Sequence, residues 1–291
     1  MEDFRTLVDS YLNDCQYRKR LDAKTVRAYR ADLKDFTQYL DREHADYLDK
    51  RALVGFVEML HKIRAPRTVR RKVASLQAFY HYLIYEEQIT DNPMHRVDLS
   101  FKLPKRLPRH IPTHTLEDFY RALYLQKRRA GTAAARRAMT RNVAVIELLF
   151  ATGLRISELC TLTPQNVNLH EGAILIRGKG DKERILQLTE HATLQALQEY
   201  DELFREDITS CGYFFVNNYG NRLSEQSVRN MIHRIASNAQ IPINITPHMF
   251  RHTFATSLVN QEVDIRCIQE LLGHSSIRTT EIYTHVDTAR Q

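Results

Sequence analysis

The chain has 291 residues, 43% hydrophobic and 26% charged, with 42 Lys and Arg against 35 Asp and Glu for a formal net charge of +7. That length favours two domains at roughly 100–200 residues each, and no apolar run approaches the ~18 residues of a membrane span. The acidic, amphipathic start is unlike a secretory or transit leader, and four scattered cysteines (Cys15, Cys160, Cys211, Cys267) with no C-x-x-C pair speak against a disulfide framework or a cysteine zinc site and for a reducing cytoplasm.

Four helices are expected before Asn92. Phe4, Leu7, Val8, Tyr11 and Leu12 make an amphipathic stripe. Val26, Tyr29, Leu33, Phe36 and Leu40 repeat at helical spacing behind Asp22 as a cap. A third helix follows Asp49, with Leu53, Phe56, Val57 and Leu60 inward. The fourth runs from Pro66 to Glu86 with Val69, Val73, Leu76, Tyr80 and Leu83 inward. Its other face carries Arg67, Arg70, Arg71 and Lys72, then the small residues Ala74, Ser75 and Ala78. Cations beside small side chains let a helix approach a phosphate backbone closely; a solvated helix face is the competing reading.

Asn92-Pro93 ends this unit. Residues 101–112 hold three prolines and four basic side chains, among them Lys102, Lys105 and Arg106, and read as an extended linker. The expected division is a helical domain over 1–95, a basic linker over 96–112 and a second domain over 113–291.

The second domain opens at Thr115-Leu-Glu-Asp118, which resembles a capping box. Arg128–Arg141 is a basic, Ala-rich interruption, a loop or a helix extension. An apolar helix over Asn142–Thr152 follows, stopped by Gly153. Ala173–Arg177 and Glu183–Leu188 alternate like strands about a hairpin at Gly178–Lys182, and Tyr213–Val216 reads as a third strand. The remainder is helical over 190–206, 224–238, 247–260 and 264–272. Charge is uneven along this path: residues 51–150 carry +11, against −1 before them and −3 after. A block of that sign reads as a surface for a polyanion, most often nucleic acid, with a plain solvated face as the alternative.

Several polar residues stand where a core does not require them. Thr246-Pro247 begins a helix in which His248 and Arg251, three apart, share one face near free backbone N–H groups that favour an anion. His248 and His252 are four apart, as in a zinc motif, but position 249 is Met and no general-base Glu is present. Gly273 stops a helix just before His274, and Tyr283 lies nine residues on. Arg155 follows the Gly153 break, with an ion pair to Glu158 as its structural reading.

In order, T-G-L-R-x-S-E-L, G-K-G-x-K-x-R, H-x-x-R-H-x-F-A-T, L-L-G-H and T-x-x-Y-T-H resemble the tyrosine recombinases, the phage-integrase family, and most of all its Xer subgroup. The resemblance spans residues 2–286. It implies a mainly α fold with a small antiparallel β-sheet, arranged as a two-domain DNA clamp: an N-terminal SAM-like core-binding bundle and a tyrosine-recombinase catalytic domain. It implies site-specific strand cleavage and rejoining through a 3′-phosphotyrosine in a synaptic tetramer, with no metal, cofactor or ATP. Arg155 and Arg251 match the family's phosphate-binding arginines, whose planar forks suit the charge of a phosphorane. His248 would assist proton transfer at the tyrosine, and His274 would hydrogen-bond the phosphate. Lys179 matches the hairpin lysine that protonates the 5′-oxygen, with Lys182 as the competing assignment. Tyr283 is the implied nucleophile.

The implied partners are double-stranded DNA with a two-half-site target and further copies of the chain. A paralogous recombinase and a DNA translocase are candidate further partners; no membrane is implied, and the setting is cytoplasmic and nucleoid-associated. Only eight residues follow Tyr283, which leaves open how subunits couple. Three other functions compete: a type IB topoisomerase without site specificity, a non-catalytic DNA-binding regulator and a metal-dependent nuclease.

Overall fold

The computed structural model describes residues 3–97, 110–178 and 183–273. By its contacts the chain divides into two compact units, 1–105 and 106–291. Among the described residues no helix is long and apolar enough to cross a membrane.

The first unit is helical throughout. Helix α1 (Phe4–Asn13) runs into a π-helical stretch, Asp14–Arg18. Helix α2 (Ala23–Glu43) starts where the Asp22 carboxylate accepts from the Lys24 N–H at 2.8 Å. Helix α3 (Lys50–Ile63) starts the same way on Asp49, and α4 (Pro66–Tyr85) has proline at its first position. All the inward residues expected on α1, α3 and α4 are buried, and so are Val26, Leu33, Phe36 and Leu40 of α2, around edge-to-face contacts of Phe4 with Phe36 and Phe79. Each such aliphatic or aromatic side chain contributes about 1.5–3 kcal/mol on burial. Asn92 caps a 3-10 turn over Pro93–Arg96.

In the second unit α5 (Thr113–Arg128) begins two residues before the expected capping box. Pro112 takes the N-cap position, and Thr115 is buried inside the first turn. Helix α6 (Ala133–Thr152) is longer than the apolar run alone indicates. Thr132 caps it through the Ala135 N–H, so most of the basic, Ala-rich stretch is helix rather than loop. From Met139 to Leu149 nearly every α6 side chain is buried, because α5, α8 (His191–Cys211) and α10 (Pro247–Asn260) pack around it. The short α7 (Ile156–Cys160) follows the Gly153 break.

The sheet has three antiparallel strands in the order β1 (Val167–Asn168), β2 (Ala173–Arg177), β3 (Glu183–Gln187), with Leu175 opposite Ile185. Tyr213–Val216 is not its third strand. Phe214, Phe215 and Val216 are buried beside Tyr200 of α8, and only an isolated bridge joins Val216 to Arg222. Helix α9 (Glu225–Asn238) and α11 (Ile265–Leu272) complete the unit. The observed fold is thus mainly α with a small antiparallel sheet.

Candidate active site

In the second unit three arginines from three separate elements meet the last turn of α11. Helix α6 ends on Gly153, whose φ of +59° is a conformation that glycine adopts without a Cβ clash. That break turns the chain so that Arg155 opens α7. Its Nη1 donates to Glu158 Oε1 at 2.8 Å, and its Nη2 donates to the Gly273 carbonyl at 2.8 Å. Arg251 extends from α10 into the interior, 5% exposed, and donates to the carbonyls of Gly153 (2.8 Å) and Leu272. Arg184 of β3 donates from Nε to the Leu271 carbonyl at 2.8 Å and from its two Nη atoms to Glu158 at 3.2 and 2.8 Å. Three consecutive carbonyls at the C-terminal, negative end of α11 are therefore capped by three guanidiniums.

Glu158 accepts from two of these arginines, Arg155 and Arg184. Burial opposes its ionisation, but hydrogen bonds from Arg184 and from the Arg155 backbone and side chain outweigh that cost and hold it below the ordinary range. The predicted Arg155–Glu158 ion pair is present, and Arg184 shares the same acid.

His248 is exposed near the start of α10. Its pKa is lowered, first by partial loss of hydration and then by the positive fields of Arg251, Arg229 and Arg155. A neutral imidazole can accept a proton, which a cationic one cannot. Arg251 points inward while His248 faces out, so the two share a helix turn but differ in exposure. Among the described residues no group of three His, Cys, Asp or Glu side chains converges as metal ligands would. Lys179, Lys182, His274 and Tyr283 lie outside the described residues.

In the first unit Arg67 and Arg70 lie exposed on α4, as does Ala74. Lys72 departs from the expected surface role. It is 4% exposed, and its ammonium lies 2.8 Å from both Asp32 and Asp35 of α2. Helical spacing turns position 72 inward, where the two carboxylates offset the lost hydration of the charge. Ser75 is also buried and donates to Asp32 at 2.7 Å, so it does not belong to the open face. Arg71 is half-exposed and also paired with Asp32. A shallow concavity beside it is lined by Lys24, Thr25, Ala28, Tyr29, Arg71, Ala74 and Ser75. Lys102, Lys105 and Arg106 lie outside the described residues. Reading the sequence left Asp32 and Arg184 without roles. The second had a signal, since it closes the G-K-G-x-K-x-R motif; the first had none beyond its place on α2.

The sequence matches the Phage integrase family over residues 125–290 and the N-terminal SAM-like domain of phage integrases over residues 8–87. It is 47% identical to a tyrosine recombinase of Agathobacter rectalis over 291 residues, covering 100% of this chain and 95% of the relative. It is 36% identical to tyrosine recombinase XerD of Listeria innocua, covering 98% and 95%. The fold is similar to that of the XerH site-specific recombinase bound to palindromic difH substrate in a post-cleavage complex, with a TM-score of 0.76, 24% identity, and coverage of 97% of this chain and 81% of that one.

Proposed function

Because the chain belongs to the phage integrase family, as a tyrosine recombinase of Xer type that carries out site-specific DNA recombination, we propose that it cleaves and rejoins double-stranded DNA through Tyr283. The tyrosine oxygen attacks the scissile phosphate, a 3′-phosphotyrosine forms, and the 5′-oxygen leaves as a hydroxyl. Attack by that hydroxyl of a partner strand reverses the step, so the ester conserves the bond energy. The reaction runs in a tetramer that pairs two sites, each of two half-sites. Residues 1–95 and the basic 96–112 linker serve DNA binding, and 113–291 catalysis.

The observation that supports this most is the convergence of Arg155 and Arg251 on adjacent carbonyls, Gly273 and Leu272, directly before His274 in sequence. Their forks bring preorganised donors to the non-bridging oxygens as charge develops. His248, held neutral, takes the tyrosine proton, His274 donates to the phosphate, and Lys179 protonates the leaving oxygen. Arg67, Arg70 and Arg71 contact the phosphate backbone, as do Lys102, Lys105 and Arg106 of the linker. Lys72, committed to two carboxylates, does not.

The Xer likeness supports resolution of chromosome or plasmid dimers; integration or excision of a mobile element is the competing role. Trapping covalent complexes on nicked genomic fragments tests both levels. The expected result is an adduct on Tyr283, absent in Tyr283→Phe, at a site whose genomic position assigns the role. Active protein without that adduct overturns the mechanism. Cleavage abolished by EDTA indicates a metal-dependent nuclease, and relaxation of plasmids lacking any site indicates a topoisomerase.

A further inference from the structure

Arg184 occupies a position that the proposed chemistry leaves without a role. Its side chain is 12% exposed, and its guanidinium makes three bonds in two directions, two to Glu158 and one to the Leu271 carbonyl. It also lies against Gly273, where a Cβ would come 2.8 Å from Nη1 and 3.2 Å from Cζ. With φ at +61°, Gly273 suits both the left-handed turn and this close approach. The same side chain leaves β3, which begins four residues after Lys179 in sequence.

Two physical consequences follow. If Arg155 alone neutralised Glu158, both carboxylate oxygens would compete for its fork, and little of its charge would remain for a phosphate. Because Arg184 shares that acid, two guanidiniums meet one carboxylate, and the excess positive charge stays in place. Arg184 also ties β3 to the end of α11, so the chain leaving Gly273 starts from a fixed point.

We propose that Arg184 is a positioning residue for strand cleavage, keeping Arg155 available to the phosphate and anchoring the turn that precedes His274. This rests on the reading that Arg155 binds the scissile phosphate. The test compares full-length wild type, Arg184→Lys and Arg184→Met by gel shift on a target site and by the single-turnover rate of covalent adduct formation. Arg184→Lys keeps the cation and a long stem but loses the fork. Arg184→Met should slow adduct formation by about 10²-fold, the scale expected when a reacting group is displaced by ~1 Å. Arg184→Lys should fall between it and wild type, and both should bind DNA within about twofold of wild type, since the loss is one of positioning.

The pH profile separates positioning from packing. The charged groups bonded to Glu158 among the described residues are Arg155 and Arg184. Without Arg184 the acid protonates at higher pH and, once neutral, no longer orients the Arg155 fork, so the acidic limb of the rate profile moves up in pH. A purely structural role leaves that limb in place. An unchanged rate in Arg184→Lys and Arg184→Met overturns the proposal, as does loss of rate in step with DNA affinity or with folding. If Arg184→Met does not fold, Arg184→Lys decides. Failure of wild type itself to form a Tyr283 adduct would instead overturn the catalytic reading beneath it.

Discussion

Gly153 joins two demands at one backbone position. Its φ of +59° ends α6, and its carbonyl receives Arg251. A Cβ there would come 2.6 Å from the Phe254 ring and 3.2 Å from Leu272. Gly153→Ala is therefore expected to cost about 2–4 kcal/mol, the left-handed penalty plus overpacking, read from urea denaturation. His252, one position beyond Arg251, yields a pH prediction. Burial first, then His248 and Arg251, lower its pKa from 6.5 to about 4. Between those values the unfolded chain binds a proton that the folded chain does not, so stability is full above pH ~6.5 and falls as pH drops towards ~4. Urea midpoints taken at several pH values across that range should show the decline, and His252→Gln should flatten it. An equally steep decline in the variant would assign the sensitivity to other groups.

The tie between α2 and α4 shows why pairing across elements governs what a basic residue does. Asp32 is 1% exposed and accepts from Arg71, Lys72 and Ser75. Removing the acid leaves a buried ammonium with only the partly exposed Asp35, so Asp32→Ala should cost about 3–5 kcal/mol in denaturant unfolding. Lys72→Met should cost less, because Asp32 keeps Arg71 and Ser75. The reverse order would refute this account of the network.

The caps at Asp22 and Asp49, and the stop at Gly153, were legible because each is a contact over a few residues. The inward burial of Lys72 was not, since its partners lie 37 and 40 positions away. Tyr213–Val216 misled for a related reason. A short apolar run looks the same whether it pairs as a strand or lies buried beneath a helix, and β1 spans only two residues, too few to show alternation. In the candidate site the motifs named Arg155, His248 and Arg251, but not that Glu158 is held by two arginines, one of them 26 positions away.

At the scale of the chain, two units with separate cores make unfolding a matter of two transitions rather than one midpoint. Asp32→Ala should move the transition of the first unit and Gly153→Ala that of the second, which calorimetry can resolve. The exposed arginines of α4 are expected to act on DNA affinity instead. Replacing Arg67 and Arg70 by Ala should lower the slope of log affinity against log salt by roughly 2, at about 0.9 per phosphate contact. Stability should stay within about 0.5 kcal/mol, as for surface changes generally. An unaltered salt slope would remove these two residues from the DNA-contacting surface.

The arginine node at the end of α11 also has a kinetic meaning. Its bonds from Arg155 to Gly273, Arg184 to Leu271 and Arg251 to Gly153 span 118, 87 and 98 positions. Contacts that close such long loops are entropically costly to form early, so they belong to the late side of the folding barrier. Loosening the node with Arg184→Lys should then raise the unfolding limb of a chevron plot while leaving the refolding limb near that of wild type. The node thus sets how long an assembled site persists between openings as well as where its side chains stand.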